Sequence, residues 1–501
     1  MSKTEPFSEL ALGIRPHGVT LYRWLYDEIR RAIIEGKLKP GTRLPSSRSV
    51  SRQHQMSRGT VVSAFEQLGA EGYLESQVGS GSIVRRTIPD KLLEAKKSPL
   101  PARAEPSRAV LSSRGQRLAC YPFPKVWSNR AAPAFRVGQP ALNQFPIDLW
   151  SRVAGRRLRK ATPSLLGNSD ALGFRPLRTE IASYVGKTRG VKCTADEVVI
   201  TSGTQQSLDL VARLLLDDKD KVWMEDPCYP GAALLFRAHG AEIVPVPVDD
   251  HGLICSAGRR EGNAAKLAYI TPAHQFPLGV TMSLARRMEL LKWAQEEGSW
   301  IFEDDYDGDF RFAGRPLAAL QSLDSSGSVI YSNTFNKVLF PTLRLGFLVI
   351  PTRLVDSFAA AKSIIDRYPS VLDQAVLCDF ITEGHMGHHI RRMRELYSNR
   401  HGVLLDSARA DLDGLMELST IRGGLQTVGW LANGIDEMGA RMAAEASGIE
   451  SLALSRLTIN RSMPAALVLG IAAADTRSIR RGVEELAGVL RKLKLNPTLA
   501  A

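Results

Sequence analysis

The sequence predicts a multidomain chain: a small helical domain with a two-stranded wing, a basic tether, and a large α/β domain on a mostly parallel sheet. Three observations predict it. Helix-period stretches and a Gly-Ser-Gly turn fill residues 20–84. Periodicity then fails from Arg85 to about Ala132. From Phe135 onwards, apolar strand-like runs alternate with helix-like ones, the signature of an α/β sheet. A length of 501 residues exceeds one compact domain. The 44% hydrophobic and 23% charged content is that of an ordinary globular protein.

In the small domain, "TLYRWLYDEIRRAIIEG" carries Leu21, Leu25, Ile29 and Ile33 on one stripe, with Tyr22, Trp24 and Ala32 flanking it and Gly36 as its stop. A Pro-Gly turn follows. Ser46 is placed to cap a second helix. "SRGTVVSAFEQLGAEG" forms a third, with Val61, Ala64, Phe65 and Leu68 on one face. "GYLESQVGSGSIV" reads as two strands around a tight turn. That order is a winged helix-turn-helix, whose third helix enters the major groove. Its leading residues, Ser57, Arg58 and Thr60, are the candidates for base contact. Arg43 and Arg48 suit phosphates, and the wing turn through Gly79 and Ser80 brings backbone amides near the strand.

The tether is basic. Residues 85–130 carry 11 Lys+Arg against 3 Asp+Glu, whereas the chain from 131 onwards is nearly balanced, 43 against 41. Such a stretch beside a small helical domain adds sequence-independent affinity for nucleic acid. It is also what a solvated linker looks like. Its prolines keep it semi-extended. The five cysteines are widely spaced and form no CxxC pair, which argues for reduced thiols and against a zinc site. "MSKTEPFSEL" lacks an apolar signal core, and apolar runs such as Ala465–Leu469 are too short to span a membrane. A soluble, cytoplasmic protein with no metal is the expectation.

In the large domain, chemistry gathers at strand ends, where open sheets bind ligands. Gly203-Thr204-Gln205 lies where "EVVITSG" gives way to a helix, a place that favours phosphate. Asp304 and Tyr306 follow the strand "WIFE", and Tyr229 follows "VWMED". Lys337 sits just beyond "SVIYSNTF", between Thr334 and Arg344. Singly, each is a cap, a packing group or a solvated cation. Jointly, they supply what an aldehyde cofactor requires: an amine, a carboxylate for a ring nitrogen, an aromatic face and a phosphate cradle.

"VVITSGTQQSLDL", "EDPCYPG", "ITPAHQFPLG", "EDDYDGDFRF" and "NTFNKVLFPTLRLGF" resemble the fold-type I aminotransferases that use pyridoxal 5′-phosphate (PLP). "RLPSSRSV", "MSRGTVVSAFEQLGAEGYL" and "GSGSIV" resemble the GntR-type winged helix. Joined, they resemble the MocR class of bacterial transcriptional regulators. The resemblance implies a winged helix in 1–84, a linker in 85–132, and an aminotransferase-like domain in 133–501 with a smaller C-terminal α/β subdomain. It implies that Lys337 carries the cofactor, Asp304 faces its ring nitrogen, Tyr306 its phenolic oxygen and Tyr229 its ring. Gly203, Thr204, Gln205, Thr334 and Arg344 would hold its phosphate. It further implies a homodimer on operator DNA, responsive to PLP or a small amino compound.

Three positions depart from that family's enzymes. Phe276 stands where they carry asparagine, Asn336 where the regulators carry serine before the lysine, and Leu467 and Val468 occupy the stretch that usually follows a carboxylate-binding arginine. These favour a regulator with at most residual transamination. An active aminotransferase with an accessory DNA-binding domain is the alternative.

Overall fold

The computed structural model describes residues 12–77, 81–86, 111–121, 134–167, 169–261, 264–312 and 317–495. The chain divides into two compact units that part between Val110 and Leu111.

The first unit holds three helices, α1 (Leu21–Ile34), α2 (Ser47–Gln53) and α3 (Arg58–Ala70), and an antiparallel pair, β1 (Leu74–Gln77) and β2 (Gly81–Val84). Each helix begins at a hydroxyl that accepts a backbone N–H: Thr20 from Arg23, Ser46 from Ser49, Ser57 from Thr60. These bonds satisfy donors that a helix N-terminus otherwise leaves open. Leu25, Ile29, Ile33, Val50, Val61, Ala64 and Leu68 close the core. The buried face of α1 is rotated from the expected stripe: Tyr26 is buried and Leu21 exposed. The Tyr26 hydroxyl donates to Glu71, so an aromatic with a polar tip replaces an aliphatic at that edge. Strand β2 also meets the chain at Arg43, through an isolated bridge to Ile83.

Ser113–Cys120 is helical, although it lies in the stretch expected to be an aperiodic tether. It buries none of its residues. Ser112 caps it, and Arg117 pairs with Asp218 at 3.1 Å. Cap and charge, rather than an apolar face, mark this helix, which is why composition alone read it as linker.

In the second unit an eight-stranded sheet carries the site. Its strands are β3 (Val198–Thr201), β4 (Lys221–Asp226), β5 (Glu242–Asp249), β6 (Gly252–Leu253), β7 (Leu267–Ile270), β8 (Trp300–Asp304), β9 (Val329–Thr334) and β10 (Gly346–Val349). Their order is β3-β10-β9-β8-β7-β4-β5-β6. The five strands from β9 to β5 are mutually parallel, and the edges are antiparallel. Their near-continuous burial is what a sheet covered on both faces demands. A second, antiparallel sheet follows, β11 (Met416–Leu418), β12 (Gln426–Leu431), β14 (Ala466–Gly470) and β13 (Leu452–Ala453), in that order. Helices His385–Asp411, Glu437–Ala446 and Thr476–Leu495 share its core. This is the smaller C-terminal subdomain expected from the resemblance.

Candidate functional site

The register of the large sheet assembles the site. Asp304, the last residue of β8, pairs in register with Ser332 of β9. Thr334 ends β9 opposite Gly346 of β10, and Gly346 in turn faces Thr201 of β3. The turns beyond those ends therefore converge, and they carry Lys337, Arg344 and Gly203. Gly346 has to be small, since a Cβ there would stand 3.0 Å from the Cα of Gly203.

Lys337 lies in the one-turn helix Phe335–Val338, and its Nζ donates to the Gly138 carbonyl at 2.7 Å. Burial lowers its pKa from the usual lysine value, while the charges of Asp307 and Asp304 act the other way. A lysine so placed has more free amine available to attack a carbonyl.

Asp304 is 3% exposed. Its Oδ2 accepts from the Tyr269 hydroxyl at 2.8 Å, and its Oδ1 has no partner. Burial pushes its pKa up to about 7, against the Tyr269 hydrogen bond. Tyr306 receives a hydrogen bond from Gln426 Nε2 of β12 at 2.7 Å and lies 3.1 Å from His274 Nδ1. The Tyr229 hydroxyl accepts from Gln205 Nε2 at 3.2 Å.

Gly203 precedes the helix Thr204–Leu215 with φ of 112°, a conformation open to glycine. A Cβ on it would stand 3.2 Å from Asn336 Nδ2 and 3.6 Å from an Arg344 guanidinium nitrogen. Helix N-terminus, guanidinium and amide thus close on one spot. Arg344 holds φ of 51°, a turn conformation that non-glycine residues seldom adopt. Thr334 turns inward instead: its hydroxyl accepts from the Asn336 amide at 3.3 Å and lies 3.4 Å from the Leu345 carbonyl. Asn336, which breaks the family pattern in sequence, leaves its Oδ1 buried and unpartnered. The structure therefore brings Gly203, Asn336 and Arg344 together, sets the Lys337 amine beside Gly138, and gives Thr334 a capping position.

Sequence reasoning missed Gln426, His274 and Tyr269 as neighbours of these groups. Phe276 sits edge-on to both Tyr306, at 6.0 Å and 79°, and Tyr229, at 6.1 Å and 86°. It places hydrocarbon between two tyrosines, where an asparagine would offer a hydrogen-bond donor.

In the first unit Arg58 opens α3 and is exposed, with no side-chain partner among the described residues. Ser57 and Thr60 are tied to each other, Oγ to Oγ1 at 2.8 Å, while Ser57 caps the helix. Arg43 and Arg48 are exposed. Arg43 Nε is 3.6 Å from the Cβ position of Gly81, beside the wing. Gly79 and Ser80 lie outside the described residues. Among the described residues no group of side chains has the makeup of a metal site, and no helix is long and apolar enough to cross a membrane. The five cysteines form no disulfide.

Residues 137–420 match the family model for aminotransferase class I and II, and residues 21–84 the model for bacterial regulatory proteins of the gntR family. The chain is 38% identical to the probable rhizopine catabolism regulatory protein MocR of Rhizobium meliloti, over 97% of each. It is 29% identical to the HTH-type pyridoxine biosynthesis transcriptional regulator PdxR of Corynebacterium glutamicum, over 96% of this chain and 98% of that one. Among solved structures, the alpha-aminoadipate aminotransferase LysN of Thermus thermophilus, complexed with N-(5′-phosphopyridoxyl)-L-leucine, matches with a TM-score of 0.66 and 28% identity. That match covers 72% of this chain and 92% of LysN. A GntR-type domain fused to an aminotransferase-like domain defines a class of helix-turn-helix transcriptional regulators. The chain belongs to that class, the MocR-type regulators.

Proposed function

We propose that this regulator binds operator DNA through its winged helix and holds pyridoxal 5′-phosphate in its large unit, where the cofactor or a small amino compound is sensed. The observation that carries the reading is the convergence of Lys337, Asp304 with its unpartnered Oδ1, and the Gly203–Asn336–Arg344 cradle. A buried acceptor without a donor is rare, and a protonated ring nitrogen is a group that would satisfy it.

When bound, the cofactor supplies an electrophilic aldehyde and an electron-withdrawing ring. Lys337 would supply the amine for the aldehyde, and Asp304 would be the carboxylate that keeps a proton on the ring nitrogen. Tyr306 offers a hydroxyl to the phenolic oxygen, fixed in place by Gln426. Tyr229 gives an aromatic face. Backbone amides at Gly203, Thr204 and Gln205, with Arg344 and Asn336, take the phosphate.

Binding rather than turnover is favoured by Phe276, whose ring cannot hydrogen-bond the phenolic oxygen. Arg461, near the stretch that lacks the expected arginine, donates to the Val248 carbonyl at 2.7 Å and is committed there. The protein acts in the cytoplasm as a homodimer whose two winged helices read two half-sites spaced by whole helical turns. An amino compound with unequal affinity for two states of the dimer shifts their populations.

Operator duplexes selected from a random library, then titrated with full-length protein with and without PLP and candidate amino compounds, test this. A change in affinity of at least several-fold is expected. Identical affinities under all conditions would refute sensing, and inserting about 5 base pairs between half-sites without effect would refute phased dimeric reading.

A further inference from the structure

A second recess opens in the large unit, and none of Lys337, Asp304, Tyr229, Gly203 and Arg344 lines it. Its cavity volume is about 20 Å³, and it opens to solvent. Arg189, Arg311, Arg422, His274 and Asp307 wall it, and Gly279 and Gly424 complete it.

The charges on that wall do not cancel. Arg189 is matched by Asp305, Nε to Oδ2 at 2.8 Å, with both side chains buried. Arg311 and Arg422 have no carboxylate partner among the described residues, and Arg311 Nε is buried without a hydrogen-bond acceptor. Burial first, then the charges of Arg422 and Arg189, lower the Arg311 pKa. Arg311 is half-buried and Arg422 exposed; their like charges repel, and a guanidinium can fork onto an oxyanion. Asp307 is the one acid on the wall, and it is occupied: its Oδ2 accepts from the Leu425 amide at 3.2 Å and lies 3.0 Å from His274 Nδ1.

His274 is a second, independent pointer. It is 7% exposed, and its Nε2 has no partner. That nitrogen ends at the glycines of the recess: a Cβ on Gly279 would stand 3.0 Å from it and one on Gly424 2.7 Å. Side chains at either place would cover the nitrogen. His274 is among the residues that line the recess, with this nitrogen buried beneath those glycines.

We propose that this recess binds a small oxyanion, a carboxylate or a phosphate group, through Arg311, Arg422 and His274, and that its occupancy is felt at Tyr306 through the His274 ring. The site itself stands on the recess alone, whereas the link to Tyr306 rests on the cofactor reading above. An oxyanion that accepts from Nε2–H favours a ring that donates at both nitrogens. Nδ1 faces both oxygens of Asp307, which can only accept, so it donates there with or without the oxyanion; a proton added at Nε2 makes the ring a cation 3.1 Å from the Tyr306 hydroxyl.

The test is calorimetric titration of the cofactor-free full chain with sodium phosphate and, separately, sodium acetate, at constant chloride ionic strength. Arg422→Ala, Arg311→Ala and Arg344→Ala are measured in parallel, with thermal unfolding to establish folding and Arg422→Lys as a milder variant. At least one probe should bind with a Kd of about 1 mM or tighter. Arg422→Ala and Arg311→Ala should weaken it roughly tenfold or more, Arg422→Lys less, and Arg344→Ala little. The tighter probe identifies the ligand group. Absence of binding by both probes overturns the site, as does binding lost in Arg344→Ala but kept in the other two, which belongs to the Gly203 cradle. With PLP loaded, the preferred probe should shift the visible absorbance of wild type and not of Arg422→Ala. Binding without that shift overturns the link to Tyr306. Failure of PLP to load refutes the cofactor reading and leaves the anion site to the calorimetry.

Discussion

The Tyr269 hydroxyl donates to one oxygen of Asp304 at 2.8 Å, and the other oxygen is buried with no donor among the described residues. A carboxylate held in this way is costly until a cation meets it.

The sign of its effect on stability follows. The folded pKa of Asp304 is raised to about 7 from 3.8, chiefly by burial. Its stability contribution in the cofactor-free protein is full below about pH 4 and is lost as pH rises through about 7. Asp304→Asn should therefore stabilise the cofactor-free chain at pH 8, on the order of 1–3 kcal/mol, and weaken PLP binding. Glu225 and Glu303 are also pushed up to about 7 by burial, so part of the pH dependence remains. Unfolding of both chains at pH 5 and pH 8 checks this. A variant less stable at pH 8, with unchanged PLP affinity, would remove Asp304 from the role.

Gly203→Ala puts a methyl 3.2 Å from Asn336 Nδ2 on a backbone at φ of 112°. A loss of about 1–3 kcal/mol is expected from the strained backbone, together with at least a tenfold loss in PLP affinity as the cradle fills. Fluorescence titration with PLP measures the second effect. Undiminished affinity would place the phosphate elsewhere.

Arg58 and Ser57 should separate cleanly. Ser57→Ala removes the α3 cap and costs about 0.5–2 kcal/mol of stability in the small unit. Arg58→Ala costs little stability, since its side chain has no partner among the described residues. It should cost about 1–3 kcal/mol of specific DNA binding and relax preference at one base position. Binding to a panel of single-base operator variants decides: a uniform loss across the panel would assign Arg58 to phosphate.

Phe276→Asn restores a hydrogen-bond donor between Tyr229 and Tyr306. If Phe276 is what holds turnover down, the PLP-loaded variant should react faster with amino donors, followed by the change in visible absorbance. Unaltered rates would show that the block lies elsewhere, with the missing carboxylate-binding arginine as the next suspect.

Sequence legibility followed chain distance. Lys337 and Arg344 could be read because seven residues hold them on two arms of one β9–β10 connection. Asp304 could be read because a buried strand ends on it. Gln426 could not: it reaches Tyr306 across 120 positions from the second sheet, and a glutamine on a strand carries no local signal. His274 was hidden in the same way, since its meaning comes from the glycines around it. In the small unit the helices were legible from their apolar spacing, but the exchange of Leu21 for Tyr26 in the core depended on Glu71, 45 positions away.

The most direct test of the account is to load the full chain with PLP, reduce it with borohydride, digest it and map the adduct by mass. A pyridoxyl mass on the peptide that contains Lys337, absent from a folded Lys337→Ala variant, is the predicted result. An unmodified Lys337, or a reducible adduct that persists in the variant, would contradict it.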